Sequence, residues 1–416
     1  MALDIVSLFA EREPERYGLH TRHLNEQMVR VLKAIGYDVG FRSGRGQYLY
    51  DRDGVKYLDL LSGWGVFAIG RNHPAVRDVL KRVLDADLPN LVQMDVSALA
   101  GVLAERLLKR VPYCEKVFFA NSGTEAVEAA IKFARAATGR PGLVYCGHGF
   151  HGLSYGSVSL VGDDIFRQGL GPFLPDCSGV PFNDLAALER ALASKKIAAF
   201  MVEPIQGKGV NLPADDYLKE ALALCRKHGT LMVADEIQSG MGRTGRFLAH
   251  EWSGVSPDIA TLAKGLGAGF PVGACLATAE ASAAMTYGSH GTTFGGNPLA
   301  MAVGAAVLDI ILDEKFLERV RRTGLVLKQK LAAVADTHPG IIEEIRGEGL
   351  MLGIKCRIPN GDVATAARGE GLLVVPAGDN VVRLLPPLIV TEADVEEAVR
   401  RLDTALVGLT RRAAAE

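Results

Sequence analysis

Between about residues 75 and 300 the chain alternates helical and strand periodicity, and this alternation limits its possible folds more than any other feature. Helical spacing of apolar residues runs over 75–86, 97–110, 124–138, 184–194 and 215–228. Short apolar runs stand at Lys116–Ala120, Leu143–Cys146, Ala198–Val202, Leu231–Ala234 and Ile259–Leu262. Strands that alternate with helices predict an α/β fold, a mainly parallel central sheet with helices on both faces. Residues 44–60 predict a β-hairpin instead, with apolar and polar residues alternating on each side of an Asp53-Gly54 turn. From about 305 a long helix leads into mixed strands and helices. The expected division is an N-terminal segment over 1–70, a large ligand-binding domain over 71–304 and a C-terminal segment over 305–416. The first and last together would make a smaller α+β domain.

Composition narrows the function. The 416 residues are enough for one large core and a second, smaller one. A net charge of −2 supplies no basic field for nucleic acid. No apolar run reaches the roughly 18 residues that span a bilayer. The N-terminus, with Asp4 inside its short apolar stretch and no basic leader, does not read as a secretory signal. Its Leu3, Val6, Leu8 and Phe9 either lie on a membrane surface or pack on the body or a partner subunit. Cys114, Cys146, Cys177, Cys225, Cys275 and Cys356 show no metal-ligand spacing, so no metal is expected. Free thiols in a chain of this length fit the reducing cytoplasm.

In open parallel sheets, ligands collect beyond the carboxyl ends of the strands. Five stretches place unusual residues there. In residues 118–139, Ser122 and Glu125 form a capping-box pattern at a helix start, and Gly123 lets backbone approach closely. Free N–H groups there suit a phosphate, or simply cap a helix. In residues 231–245, Asp235 and Glu236 follow an apolar strand, with Gln238 nearby. A carboxylate at that position holds a pyridinium nitrogen protonated, or caps a helix. In residues 258–277, Lys264 ends an apolar run and enters a Gly-rich turn. A desolvated lysine there is a Schiff-base amine; a snorkelling surface lysine is the bland reading. In residues 288–300, two hydroxyls precede Asn297-Pro298, completing a phosphate cup or an ordinary loop. In residues 147–156, Phe150 or His151 stacks on a flat ring, or both are core residues.

The order of these stretches resembles the class III aminotransferases, pyridoxal-5′-phosphate (PLP) enzymes of the fold-type I group. The segments NSGTEAVEAAIKFAR, VEPIQG, DEIQSGMGRTG, LAKGLGAGFPVGA and HGTTFGGNPLA carry the likeness, which runs from about 40 to 405. RGEGLMLGI and NVVRLLPPL are similar to the acetylornithine and ornithine aminotransferases. The resemblance implies that Lys264 forms the Schiff base and carries protons, and that Asp235 pairs with the pyridine nitrogen. It gives Gln238 the ring hydroxyl, Phe150 the ring face, and Glu203 the ring-side hydrogen-bond network. His151 joins them at the ring. Ser122, Gly123 and Thr124 would hold the phosphate, and Thr293 would reach the phosphate of a neighbouring subunit. A homodimer with shared active sites follows, together with a ping-pong reaction between an amine donor and a 2-oxo acid.

Three positions depart from the acetylornithine pattern. Leu153 stands where those enzymes carry an arginine that clamps a carboxylate by two hydrogen bonds. Lys208 replaces a glutamate that pairs with an arginine matching Arg383, so Lys208 and Arg383 would repel and leave Arg383 for a substrate carboxylate. Trp64 and Phe67 make residues 62–74 more aromatic, closer to the putrescine-type and hopanoid-linked class III enzymes. These departures predict a transaminase of a terminal primary amine whose carrier lacks a carboxylate near the reacting carbon, working with glutamate and 2-oxoglutarate. The alternatives are an acetylornithine/ornithine aminotransferase, a hopanoid-linked enzyme, a glutamate-1-semialdehyde-type aminomutase, and a non-catalytic binding protein.

Overall fold

The computed structural model describes residues 3–91 and 95–413. Its centre is a seven-stranded sheet. In chain order the strands are β1 (Lys116–Ala120), β2 (Gly142–Cys146), β3 (Cys177–Val180), β4 (Ile197–Val202), β5 (Leu231–Asp235), β6 (Ile259–Leu262) and β7 (Gly273–Ala277). In space the order is β1-β7-β6-β5-β4-β2-β3. Strands β2 to β6 pair in parallel, while β7 runs antiparallel to both β1 and β6.

Apolar residues occupy these strands on both sides because helices cover both faces. Along β4, Ala199 and Met201 join the core under the helix Gly123–Thr138. The alternate residues Phe200 and Val202 join the opposite core, with Leu188, Leu192, Leu218 and Leu222 from the helices Leu185–Leu192 and Tyr217–His228. The period of two along the strand sends successive side chains to opposite layers.

Sequence patterning does not anticipate β3 or β7. GACLA carries no β-branched or aromatic residue, so β7 has no strand propensity of its own. Its direction has a simple cause. Residues 263–272 are too short for the helical crossover that a parallel partner of β6 requires, so the chain must return antiparallel.

Two small four-stranded sheets flank this body. One contains the expected hairpin, with Tyr48–Tyr50 paired to Lys56–Asp59, and adds Leu372–Leu373 in parallel. Asp51 closes that turn by accepting from the backbone N–H groups of Asp53 and Val55, both at 2.9 Å. The other joins Ile342–Glu348, Met351–Cys356, Val381–Leu384 and Val375–Ala377. Early and late segments thus meet in one sheet. The helix Ile5–Arg12 buries none of its residues, and Leu3, Val6 and Phe9 are exposed, so the body does not cover this segment. No described helix is long and apolar enough to cross a membrane.

One contact ties the sheet to the turn after β1. A methyl group added at Gly273 would lie 2.2 Å from the carbonyl oxygen of Ser122. Gly273→Ala must therefore displace backbone, and it is expected to cost about 2 kcal/mol or more. Urea unfolding of the cofactor-free protein, compared with the wild type, measures that loss.

Candidate active site

Lys264 follows the end of β6 at a backbone φ of +30°, a value that an L-residue adopts only under constraint. The side chain is half-buried. Loss of hydration lowers its pKa to about 8. The positive charges of Arg383 and Arg243 act in the same direction, and Asp235 and Glu203 oppose them.

Asp235 ends β5, one strand across from β6, and is buried. Its Oδ2 lies 2.7 Å from Nδ1 of His151. Its Oδ1 accepts from the backbone N–H of Ile237 at 3.1 Å and from the Thr261 hydroxyl at 3.2 Å. Burial pulls the His151 imidazole down, but the hydrogen bond and charge of Asp235, with Glu203, outweigh it and leave the pKa raised. His151 is thus taken up by Asp235. Its ring is almost wholly enclosed. Its Nε2 is buried and has no hydrogen-bond partner among the described residues. Glu203 accepts from the N–H groups of Phe150 (2.9 Å) and Gly207 (2.7 Å), and burial raises its pKa.

Ser122 caps the helix Gly123–Thr138 by accepting from the N–H of Glu125 at 3.3 Å. The reciprocal half of the expected capping box reaches one residue further back. The Glu125 carboxylate accepts from the N–H and Nδ2 of Asn121, at 2.7 and 3.0 Å. Thr124 Oγ1 stands 2.5 Å from Ser154 Oγ and 2.6 Å from Ser157 Oγ. Ser154 also donates to Glu128 at 2.5 Å, and the same carboxylate oxygen accepts from the N–H of Gly156 at 2.7 Å. A cluster of hydroxyls therefore sits at a helix N-terminus. Sequence reading missed Ser154, Ser157 and Glu128. Their only signal was a pair of serines three residues apart after Phe150-His151-Gly152.

The remaining expected residues rim this centre. Gln238 accepts from Arg383 at 2.9 Å, and its Nε2 points to the carbonyl of Trp64 at 3.5 Å. Arg383 is buried, also donates to the carbonyl of Gly207, and has its pKa lowered to about 10 by burial, against the opposing charge of Glu203. Trp64 is exposed and held at φ +57° within a run of left-handed residues from Ser62 to Gly65. Phe150 is at the exposed edge of the site, and Leu153 is 55% exposed. Thr293 is exposed on its loop, and the adjacent Thr292 accepts from Asn121 at 2.8 Å, tying that loop to the turn after β1. Lys208 is turned away to an ion pair with Asp163, so it does not stand bare against Arg383 as expected. The fully buried Arg243, which the sequence stretch 231–245 contained unremarked, binds the carbonyls of Leu350 and Pro386.

Residues 36–406 match the class-III aminotransferase family. The chain belongs to that family. It is a PLP-dependent transaminase of fold type I, near the acetylornithine and ornithine group. An acetylornithine aminotransferase of Agrobacterium fabrum is 45% identical over 383 residues, covering 90% of this chain and 95% of the relative. The ornithine aminotransferase of Toxoplasma gondii superposes with a TM-score of 0.91 at 30% identity, covering 99% of this chain and all of that one (100%). An amine transaminase from an uncultivated Pseudomonas species, solved with PLP bound, gives 0.81 at 31% identity, covering 88% and 94%.

The Lys264 amine should lose its proton well before an ordinary lysine, whose pKa is 10.5. Trace labelling of the cofactor-free class III enzyme with an amine-selective reagent should show Lys264 with a midpoint near pH 8. Between the two values the unfolded chain holds more protons than the folded one. Stability contributed by this group therefore rises with pH through that window. A midpoint near 10 would contradict the assignment.

Proposed function

We propose that the enzyme moves an amino group from a terminal primary amine to a 2-oxo acid, 2-oxoglutarate giving glutamate, and that the amine's carrier has no carboxylate near the reacting carbon. The observation that carries this is Leu153, an exposed apolar side chain where a carboxylate clamp would need a cation.

The residues fit PLP. A buried, hydrogen-bonded carboxylate at Asp235 suits the ring nitrogen, and a lysine of lowered pKa suits the aldehyde. The Thr124 hydroxyl and the helix N-terminus at Ser122 and Gly123 suit the phosphate. When bound, PLP supplies an electron sink for the carbon that loses a proton. Asp235 would hold the nitrogen's proton, and His151 orients Asp235. Phe150 would cover the ring face and Gln238 would meet the ring oxygen, while Glu203 holds the Phe150 and Gly207 backbone in place. Lys264, whose amine has its pKa lowered to about 8, would take the substrate proton and return it. Arg383 receives the carboxylate of the 2-oxo acid. Thr293 completes the phosphate site of a second subunit in a homodimer. The Trp64 and Leu153 side chains form an apolar mouth. Buried free thiols at Cys114, Cys146, Cys225, Cys275 and Cys356 suit a cytoplasmic protein.

A second reading, acetylornithine aminotransferase, is favoured by relatives of that name that match across nearly their whole length. A donor panel separates the two, with glutamate formation from 2-oxoglutarate as readout. Putrescine-like and other carboxylate-free amines should exceed N-acetylornithine in kcat/KM. The opposite order by tenfold or more, a difference of about 1.4 kcal/mol, would establish the second reading. On the first reading, Leu153→Arg should raise kcat/KM for N-acetylornithine about tenfold by supplying a clamp. Borohydride reduction of the PLP-loaded protein followed by peptide mapping should put the label on Lys264, and Lys264→Ala should abolish both label and turnover.

A further inference from the structure

We propose that Asp163 is a specificity-determining residue: it captures the Lys208 ammonium at the rim of the site and so keeps that charge out of the carboxylate pocket of Arg383. The inference rests on the transaminase reading above and concerns which charges meet the substrate there.

Lys208 directly follows Gly207, whose carbonyl accepts from the Arg383 guanidinium. The chain therefore sets a lysine next to the residue that binds the guanidinium. Among the described residues no carboxylate is hydrogen-bonded to Arg383. Its partners are the Gly207 carbonyl and the Gln238 amide oxygen, and its Nε is buried without a partner among the described residues. A lysine released into this space would add a second positive charge facing any bound carboxylate.

The structure holds Lys208 elsewhere. Its stem lies along Gly378, where an added methyl group would come within 2.9–3.3 Å of three lysine side-chain carbons. The backbone carbonyl of Lys208 accepts from the N–H of Gly378 at 2.8 Å. The ammonium ion-pairs with Asp163 Oδ2 and stands 5.2 Å from the centroid of the Phe166 ring. Asp163 acts with both oxygens, since its Oδ1 accepts from the N–H of Ile165 at 3.1 Å and caps the turn that carries Phe166. Phe166 in turn meets Phe150 edge-on, with centroids 5.2 Å apart and planes at 69°. One carboxylate thus orders the turn behind Phe150 and removes the lysine from the pocket. Burial lowers the Lys208 pKa, and Asp379, which accepts from Asn211 Nδ2 at 3.2 Å, opposes that shift. Asp163 and Lys208 are each about one-quarter exposed, 28% and 22%, so the pair is only partly screened by water.

A non-reacting dicarboxylate isolates this effect from catalysis. Asp163→Asn retains an oxygen to cap the turn but loses the charge that holds the ammonium. In the PLP-loaded enzyme, calorimetric binding of glutarate should tighten about threefold or more in D163N. The KM for the amine donor should rise by a similar factor, since a cationic amine meets the released lysine. Both effects should vanish when D163N is made in a K208M background and compared with K208M alone. Unchanged glutarate binding in D163N, or a tightening that persists without Lys208, would overturn the proposal, as would a wild type that binds no glutarate. Because glutarate cannot react, the result stands or falls independently of which amine proves to be the substrate.

Discussion

A buried carboxylate at the end of β5 is the constraint on which the rest of the site depends. Asp235 lies 3% exposed, where an isolated carboxylate would be costly. It is tolerated because His151, Thr261 and the Ile237 backbone all direct hydrogen-bond donors at it. Each partner comes from a different part of the chain. The parallel strand order brings the ends of β5 and β6 side by side, and so sets Thr261 and Lys264 beside Asp235. The glycine-rich stretch after β2 delivers His151 from the other side.

Around that carboxylate the charges are unevenly matched. Lys264, Arg383 and Arg243 lie in one neighbourhood with Asp235 and Glu203, and burial lowers the pKa of all three cations. Burial also raises that of Glu203. Both trends reduce the charge stored in the interior, and loss of hydration at Lys264 itself makes its amine easier to deprotonate. Arg243 reaches the carbonyls of Leu350 and Pro386, so the turn after β5 is bound to the C-terminal segments by a fully buried guanidinium. Lys208 stands outside this group, with its charge met at the rim. The interior is thereby arranged for a neutral amine and an anionic partner.

Much of this was legible in the amino-acid sequence. Strands β1 and β6 fall where periodicity put them, and β2, β4 and β5 differ by one residue, because runs such as Ile197–Val202 carry their own strand signal. Lys264, Asp235 and Ser122 were legible as strand-end residues beside Gly-rich turns. Strand β7 was not, because GACLA has no β-branched or aromatic residue, and pairing with β1 and β6 makes it a strand. Ser154, Ser157 and Glu128 were equally silent. A serine or glutamate carries no local mark of what it will meet, and their cluster forms only when the turn after Phe150 folds against the helix Gly123–Thr138.

The chain's own pattern determined the α/β class, the family, and which residue types stand at the ends of which strands. Those features are local, written in spacing over a few residues and in short motifs. Tertiary structure alone decided the partnerships: His151 with Asp235 across 84 positions, Arg383 with Gln238 across 145, and Lys208 with Asp163 rather than with nothing. The reason is physical. A buried charge takes its pKa and its direction from whatever the fold sets within a few ångströms of it, and separation along the chain does not encode that distance.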